Sequence, residues 1–134
     1  GYCESNTFKK VLDLSDYFLY DLKIIDDTLH KKHTGVSNKT IINNFKTLAK
    51  SSKDFVVRIP LIPGVTDTVS NITDIATLLK DNNVFYAEIM PYNKMAGGKY
   101  SMIGRKYSPT FDDTKEPDPH LEIFNSMGIT TKIL

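Results

Sequence analysis

A chain of 134 residues, 40% hydrophobic and 25% charged, has the make-up of one globular domain, and no apolar run approaches the roughly 20 residues that a membrane-crossing helix needs. Seventeen basic against sixteen acidic residues leave a net charge of +1, which excludes a strong overall pull toward nucleic acid or an anionic membrane. The single cysteine, Cys3, excludes an internal disulfide and a self-contained iron–sulfur site; the opening GYCESNTFKK has no secretory pattern, so the cytoplasm is the expected location.

A first short helix is predicted over Thr7–Leu14. Four apolar stretches rich in Tyr, Phe, Ile and Val then follow as strands, Tyr17–Leu22, Phe55–Leu61, Val84–Met90 and Ile129–Leu134, each of the kind buried on both faces. Between the first two, Ser37 or Asn38 starts a helix that places Ile41, Ile42, Phe45, Leu48 and Ala49 on one side. A further helix follows Thr66-Asp67, with Val69, Ile72, Ile75, Ala76 and Leu79 at helical spacing, and Asp81-Asn82-Asn83 closes it. Residues 94–119, with Gly97-Gly98, Pro109, Pro117 and Pro119, keep no period and are expected to be a long loop before a last helix over His120–Met127.

Strands alternating with helices predict an α/β fold with a parallel sheet, formed by residues 1–134 as one domain. Parallel strands need cover on both faces, and the chain opens on a helix with no strand before it, so a missing portion is expected upstream.

In such folds ligands bind at the carboxyl ends of the strands. There the sequence places Asp21-Leu22-Lys23, Arg58 with the Pro63-Gly64 turn, and Pro91-Tyr92-Asn93. Asp21 and Lys23, two apart on a strand, share a face. They are a structural ion pair, or Lys23 holds a ligand carboxylate while Asp21 serves a cation site, or Lys23 is a Schiff-base nucleophile. Arg58, inside the apolar FVVRIPL, needs a carboxylate or a ligand as partner. His30 and His33 in DDTLHKKH allow a metal site, against which Lys31 and Lys32 argue for a solvated face. Lys94, Lys99, Arg105 and Lys106, interleaved with Tyr100 and Tyr107, form a basic aromatic surface or a plain solvated loop.

Taken together, YDLKIIDDTLHKKHTGVSN, VVRIPLIPGVTD and EIMPYNKMAGGKYSMIGRKY, in that order and spacing, resemble the C-terminal half of glycyl-radical-enzyme activating enzymes of the pyruvate formate-lyase activating enzyme type. The resemblance implies the C-terminal half of a partial (βα)6 TIM-like barrel of the radical S-adenosylmethionine superfamily. In that family a 4Fe-4S cluster and S-adenosylmethionine yield a 5′-deoxyadenosyl radical, which abstracts hydrogen from a backbone glycine of the partner enzyme. It further implies that Asp21, Leu22, Lys23, Arg58 and Asn93 line the cofactor site, with Lys23 on the methionine carboxylate and Asp21 at a monovalent cation. Asn93 stands where the pyruvate formate-lyase activating enzyme has histidine, and an amide keeps hydrogen bonds but no acid–base role. A glycyl-radical enzyme is the implied partner, meeting Lys94 to Tyr107, and flavodoxin or ferredoxin the implied reductant.

The family's cluster cysteines, in a C-x3-C-x2-C motif, are absent from this sequence, so neither cluster nor cofactor is expected to bind this chain stably and it should not be catalytic alone. Two other readings compete: a non-catalytic interaction module derived from such an enzyme, and a barrel lyase using Lys23 as Schiff base.

Overall fold

A computed structural model of the chain describes residues 1–93, 99–100 and 102–134. Strands β1 (Tyr17–Asp21), β2 (Asp54–Pro60), β3 (Tyr86–Met90) and β4 (Thr130–Ile133) form one parallel sheet in sequential order, each within two residues of its expected limits. Helix α1 (Ser5–Leu14) precedes β1, α2 (Asp27–Thr34) and α3 (Lys39–Ala49) join β1 to β2, α4 (Val69–Asp81) joins β2 to β3, and α5 (Leu121–Ser126) leads into β4. The fold is therefore α/β with a parallel sheet, as expected.

Local chemistry fixes the ends of these helices. Asp26 caps α2 by accepting from Leu29 N at 2.7 Å, and Gly35, at φ 81°, closes it with an N–H donated to Lys31 O. The sequence did not mark α2 as a helix, because its one buried residue is His30 and it carries no apolar stripe. Thr68 caps α4, whose Ile72, Ile75, Ala76 and Leu79 are all buried. His120 is the N-cap of α5 and adopts φ 45°, so the helix starts one residue later than predicted. Lys94 and Gly97-Gly98 of the expected long loop lie outside the described residues.

The two faces of the sheet differ. Tyr20, Val57, Ile59, Ala87 and Ile89 point into a core completed by Phe8 and Leu12 of α1, Phe45 and Leu48 of α3, the apolar stripe of α4 and Phe124 of α5. The other face carries Leu19, 52% exposed, together with Asp21, Arg58, Glu88 and Lys132. The expectation that these strands are buried on both faces is thus corrected: among the described residues one face has no helical cover. The reason is topological. In sequential strand order each right-handed crossover returns its helix to the same side of the sheet.

Removing a methylene-rich side chain should therefore cost very different amounts on the two faces. Ile59→Ala is expected to lose about 2–5 kcal/mol and Leu19→Ala under about 0.5 kcal/mol, measured by urea unfolding followed by circular dichroism. Equal losses would contradict one-sided burial.

Candidate functional site

The carboxyl ends of β1 and β2 are held together by backbone and side-chain bonds of defined origin. Leu22 N continues the ladder past β1 by donating to Arg58 O at 3.0 Å, and its side chain is buried in the core. At the end of β2, Thr66 Oγ1 donates to Pro60 O at 2.7 Å and accepts from Ile62 N, while Gly64, at φ 68°, donates to Asp67 Oδ1. The positive φ is what requires glycine in this turn.

Two buried amides tie the loops to one another. Asn71, near the start of α4, accepts from Ile25 N at 3.0 Å and donates to Lys23 O and Thr66 O, both at 2.8 Å. Asn38 Nδ2 donates to Ile24 O and Ile25 O at 3.0 and 2.6 Å. The segment carrying Lys23 is thus fixed from two sides by side chains that use their full donor capacity.

Asp21 and Arg58 are register partners, and Asp21 Oδ1 accepts from both Nε at 3.0 Å and Nη2 at 2.9 Å of the guanidinium. Of the two partners that the sequence allowed for Arg58, a carboxylate or a ligand, the structure supplies the carboxylate. Asp21 pairs with Arg58 and not with Lys23, because neighbouring strands lie about 4.8 Å apart whereas residues two apart on one strand are separated by about 6.6 Å. Lys23 is exposed and lines two adjoining clefts. One, of about 380 Å³, is shared with Asp21, Arg58, His30 and Ile41. The other, of about 340 Å³, runs to Pro60, Val65 and Phe111.

His30 is buried, and its Nδ1 lies 2.8 Å from Val36 O; a carbonyl only accepts, so this nitrogen carries the proton. His33 is exposed, and among the described residues no group of three His, Cys, Asp or Glu side chains is placed to hold a metal. The two-histidine metal reading is therefore dropped. Beside them, Asp27 accepts from Ser37 Oγ and Asn38 N and pairs with Lys31 at 2.7 Å, and the Lys31 and Ser37 contacts hold its carboxyl well below the usual range.

Past β3, Tyr92 is half-buried, with its ring edge-on to Phe111 at 5.2 Å, and its hydroxyl is bonded to that of Tyr107. That bond, ahead of partial desolvation, pushes Tyr107 up to about 12 from 10.0. Asn93 is exposed at the same strand end. Of the predicted site residues, Asp21, Lys23 and Arg58 come together at one cleft, Leu22 supports them from the core, and Asn93 stands two strands away.

The sequence reading missed Asn71 and Glu88. Glu88 had a signal: every strand carries an apolar–charged–apolar or polar–charged–apolar triplet, Tyr20-Asp21-Leu22, Val57-Arg58-Ile59, Ala87-Glu88-Ile89 and Thr131-Lys132-Ile133, and the register sets the four charges in one row. Asn71 had none, since its partners are backbone groups, Ile25 N and Lys23 O lying 46 and 48 residues away and Thr66 O in the turn just before α4.

These features define a parallel α/β domain with a polar site at its strand ends. A domain of the pyruvate-formate lyase-activating enzyme of Bacteroides vulgatus has this fold, superposing with a TM-score of 0.72 over 98% of this chain and 74% of that one, at 23% identity. No family model matches the chain. In sequence it is 37% identical, over 99% of its length, to the trans-4-hydroxy-L-proline dehydratase activating enzyme of Clostridioides difficile. It is 33% identical, over 95% of its length, to the 4-hydroxyphenylacetate decarboxylase activating enzyme of Clostridioides difficile strain 630. Its homologues are thus glycyl-radical-enzyme activating enzymes, and it spans less than half the length of these two, 46% and 42%.

Two measurements check the site. Asn71→Ala leaves two carbonyls and one N–H without partners and should cost about 2–4 kcal/mol in urea unfolding. Spectrophotometric titration at 295 nm should show one tyrosine ionising near pH 12, returning toward 10 in Tyr92→Phe. A raised tyrosine value favours the protonated native form, so the Tyr92–Tyr107 contact is intact below pH 10 and lost as pH rises through 12.

Proposed function

We propose that the chain is the C-terminal part of a radical S-adenosylmethionine activase, an oxidoreductase whose complete form installs a glycyl radical on a partner enzyme such as pyruvate formate-lyase. The observation that carries this reading is similarity, over nearly the whole chain, to activating enzymes of a dehydratase and a decarboxylase. The partners differ while the activating role is shared, so the shared role is what transfers. The open sheet, covered by helices on one side, suits a segment of a (βα)6 barrel wall with its uncovered face turned inward.

The residues present do not fit an iron–sulfur cluster, which takes thiolate ligands, since Cys3 is the one cysteine in the sequence. Ligands in a C-x3-C-x2-C segment would have to come from outside this sequence, and the chain alone would not be catalytic. The cleft does fit the methionyl end of S-adenosylmethionine. Lys23 offers an exposed ammonium for the carboxylate, on a loop that Asn71 and Asn38 hold still. Arg58 occupies one oxygen of Asp21, leaving Oδ2 for a monovalent cation, and Asn93 contributes a neutral amide near the cofactor. Leu22 acts by packing and by its ladder bond. When bound, the cluster and cofactor would supply the 5′-deoxyadenosyl radical; this part of the protein would bind, orient and exclude water.

Partner docking is assigned to Lys94–Tyr107. Its described part exposes Met102 and Ile103, at 86% and 66%, next to Arg105 and Lys106, an apolar patch with a basic rim suited to a protein surface. A flavodoxin or ferredoxin would deliver the electron. Among the described residues no helix is long and apolar enough to cross a membrane, and a cytoplasmic protein with no nucleic-acid role is consistent with the near-neutral charge.

The test uses the protein as encoded in full, reconstituted anaerobically. Lys23→Met should weaken S-adenosylmethionine binding by about tenfold or more at unchanged iron and sulfide content. The chain of 134 residues, given cofactor and dithionite, should form no 5′-deoxyadenosine. An undiminished affinity in the variant, or product from this chain alone, would each overturn the corresponding part of the reading.

A further inference from the structure

The second cleft at Lys23 does not stop at Phe111. His33, Val65, Thr110 and Phe111 line it and also a groove of about 400 Å³ between α2 and the β2–α4 turn, which Leu29, Lys32 and Lys115 extend. The lining is partly apolar: Pro63 is buried, Val65 and Phe111 are half-buried, and Leu29 keeps 45% of its surface exposed. Pro63 and Val65 belong to the turn that Asp67 holds at Gly64 N, and Phe111 is fixed edge-on to Tyr92, so contacts made outside the groove set its walls.

The charges of the groove are unbalanced. Lys32 in the last turn of α2, where the helix dipole favours a cation, Lys115 on the connection and Lys23 in the adjoining cleft are all exposed. Among the described residues none of these three forms an ion pair, whereas Lys31 is taken by Asp27. Asp112, the carboxylate of the lining, accepts from Thr114 N and Thr114 Oγ1 at 3.1 and 2.6 Å, with a smaller attraction to Lys115. Such a rim selects carboxylates and such a lining selects apolar side chains, a combination that one segment of an acidic protein surface carries. The near-neutral charge of the whole chain speaks against a nucleic acid.

Position narrows the choice of protein. Lys23 lines the cofactor cleft as well as the cleft that opens into this groove, so an occupant stands beside the cofactor. In the activase reading a glycine of the partner has to come to that cofactor, and the surface around that glycine has to rest on the rim. We infer that the groove between α2 and residues 110–115 seats an acidic segment of the glycyl-radical enzyme, Lys32 and Lys115 pairing with its carboxylates and Leu29 and Phe111 covering an apolar side chain. The inference rests on the activase reading and adds a second contact to the one at Lys94–Tyr107. These side chains bind and orient; none takes part in bond making or breaking.

The experiment uses the complete protein, reconstituted anaerobically, and as probe a capped, fluorescently labelled octapeptide of glutamates around one leucine and one phenylalanine, followed by anisotropy. Lys32→Glu and Lys115→Glu should each weaken its binding about fivefold and Leu29→Ala about threefold. Lys9→Glu, on α1 and outside the groove, should leave it unchanged. A probe with glutamine in place of glutamate should not bind. Formation of 5′-deoxyadenosine with dithionite should keep its wild-type rate in all four variants, which also shows that they fold. Unaltered affinity in the groove variants, an equal loss in Lys9→Glu, binding of the glutamine probe, or displacement of the acidic probe by a single-stranded oligonucleotide at equal concentration would each overturn the groove. Cofactor cleavage driven by reduced flavodoxin should be as insensitive to Lys32→Glu and Lys115→Glu as that driven by dithionite; a fall confined to flavodoxin would give the groove to the reductant and overturn the choice of partner. A wild-type protein that cleaves the cofactor but does not bind the probe overturns the groove alone; one that forms no 5′-deoxyadenosine overturns the activase reading and the choice of partner with it.

Discussion

Sequential order of parallel strands is the constraint on which the remaining structure depends. It sends every crossover to one side, so Tyr20, Val57, Ile59, Ala87 and Ile89 meet helices and the residues between them do not. Each strand then carries two chemistries in alternation, apolar toward the helices and charged or mixed toward the open side. A charge in mid-strand, costly in a sheet covered on both faces, is tolerated here because the exposed side keeps it partly solvated. Arg58 and Asp21 retain 27% and 33% of their side-chain exposure while bonded to each other.

Buried asparagines do for the loops what leucine and isoleucine do for the sheet. Asn38, Asn44 and Asn71 each donate to two carbonyls in segments that have no regular structure to satisfy them. Asn44 reaches Gly1 O and Cys3 O, fixing the first residues against α3. No buried side-chain polar atom among the described residues lacks a partner. Loop positions at the strand ends are thereby set by directional bonds, which define geometry more tightly than packing does and leave Lys23 on a rigid support.

Helices α3 and α4 were legible in the sequence because each buries a periodic stripe, and the strands because each is a short apolar run; both signals survive without knowledge of neighbours. Helix α2 was not, because it is short, polar and held by its Asp26 and Gly35 caps and by His30. Arg58 announced a partner, yet nothing local distinguished Asp21 as that partner; the register did, and register is a property of two strands. The same holds for Glu88 and Lys132, whose relation is visible only once β3 and β4 lie side by side. The resemblance of three separate segments to activating enzymes identified the homologues, while which of the side chains meet at the cleft had to wait for the geometry.

Asp67 gives the long connection before α5 a property of its own. One carboxylate oxygen holds Gly64 in the β2 turn and the other accepts from Asp118 N, 51 residues on, while Tyr107 is held at the other side by Tyr92. Residues 108–117 therefore span two fixed posts. The entropy of closing such a span rises only slowly with its length. Within the span Phe111 is a third fixed point, edge-on to Tyr92 and lining the cleft at Lys23, so a change of length or sequence is absorbed on either side of it and not across it.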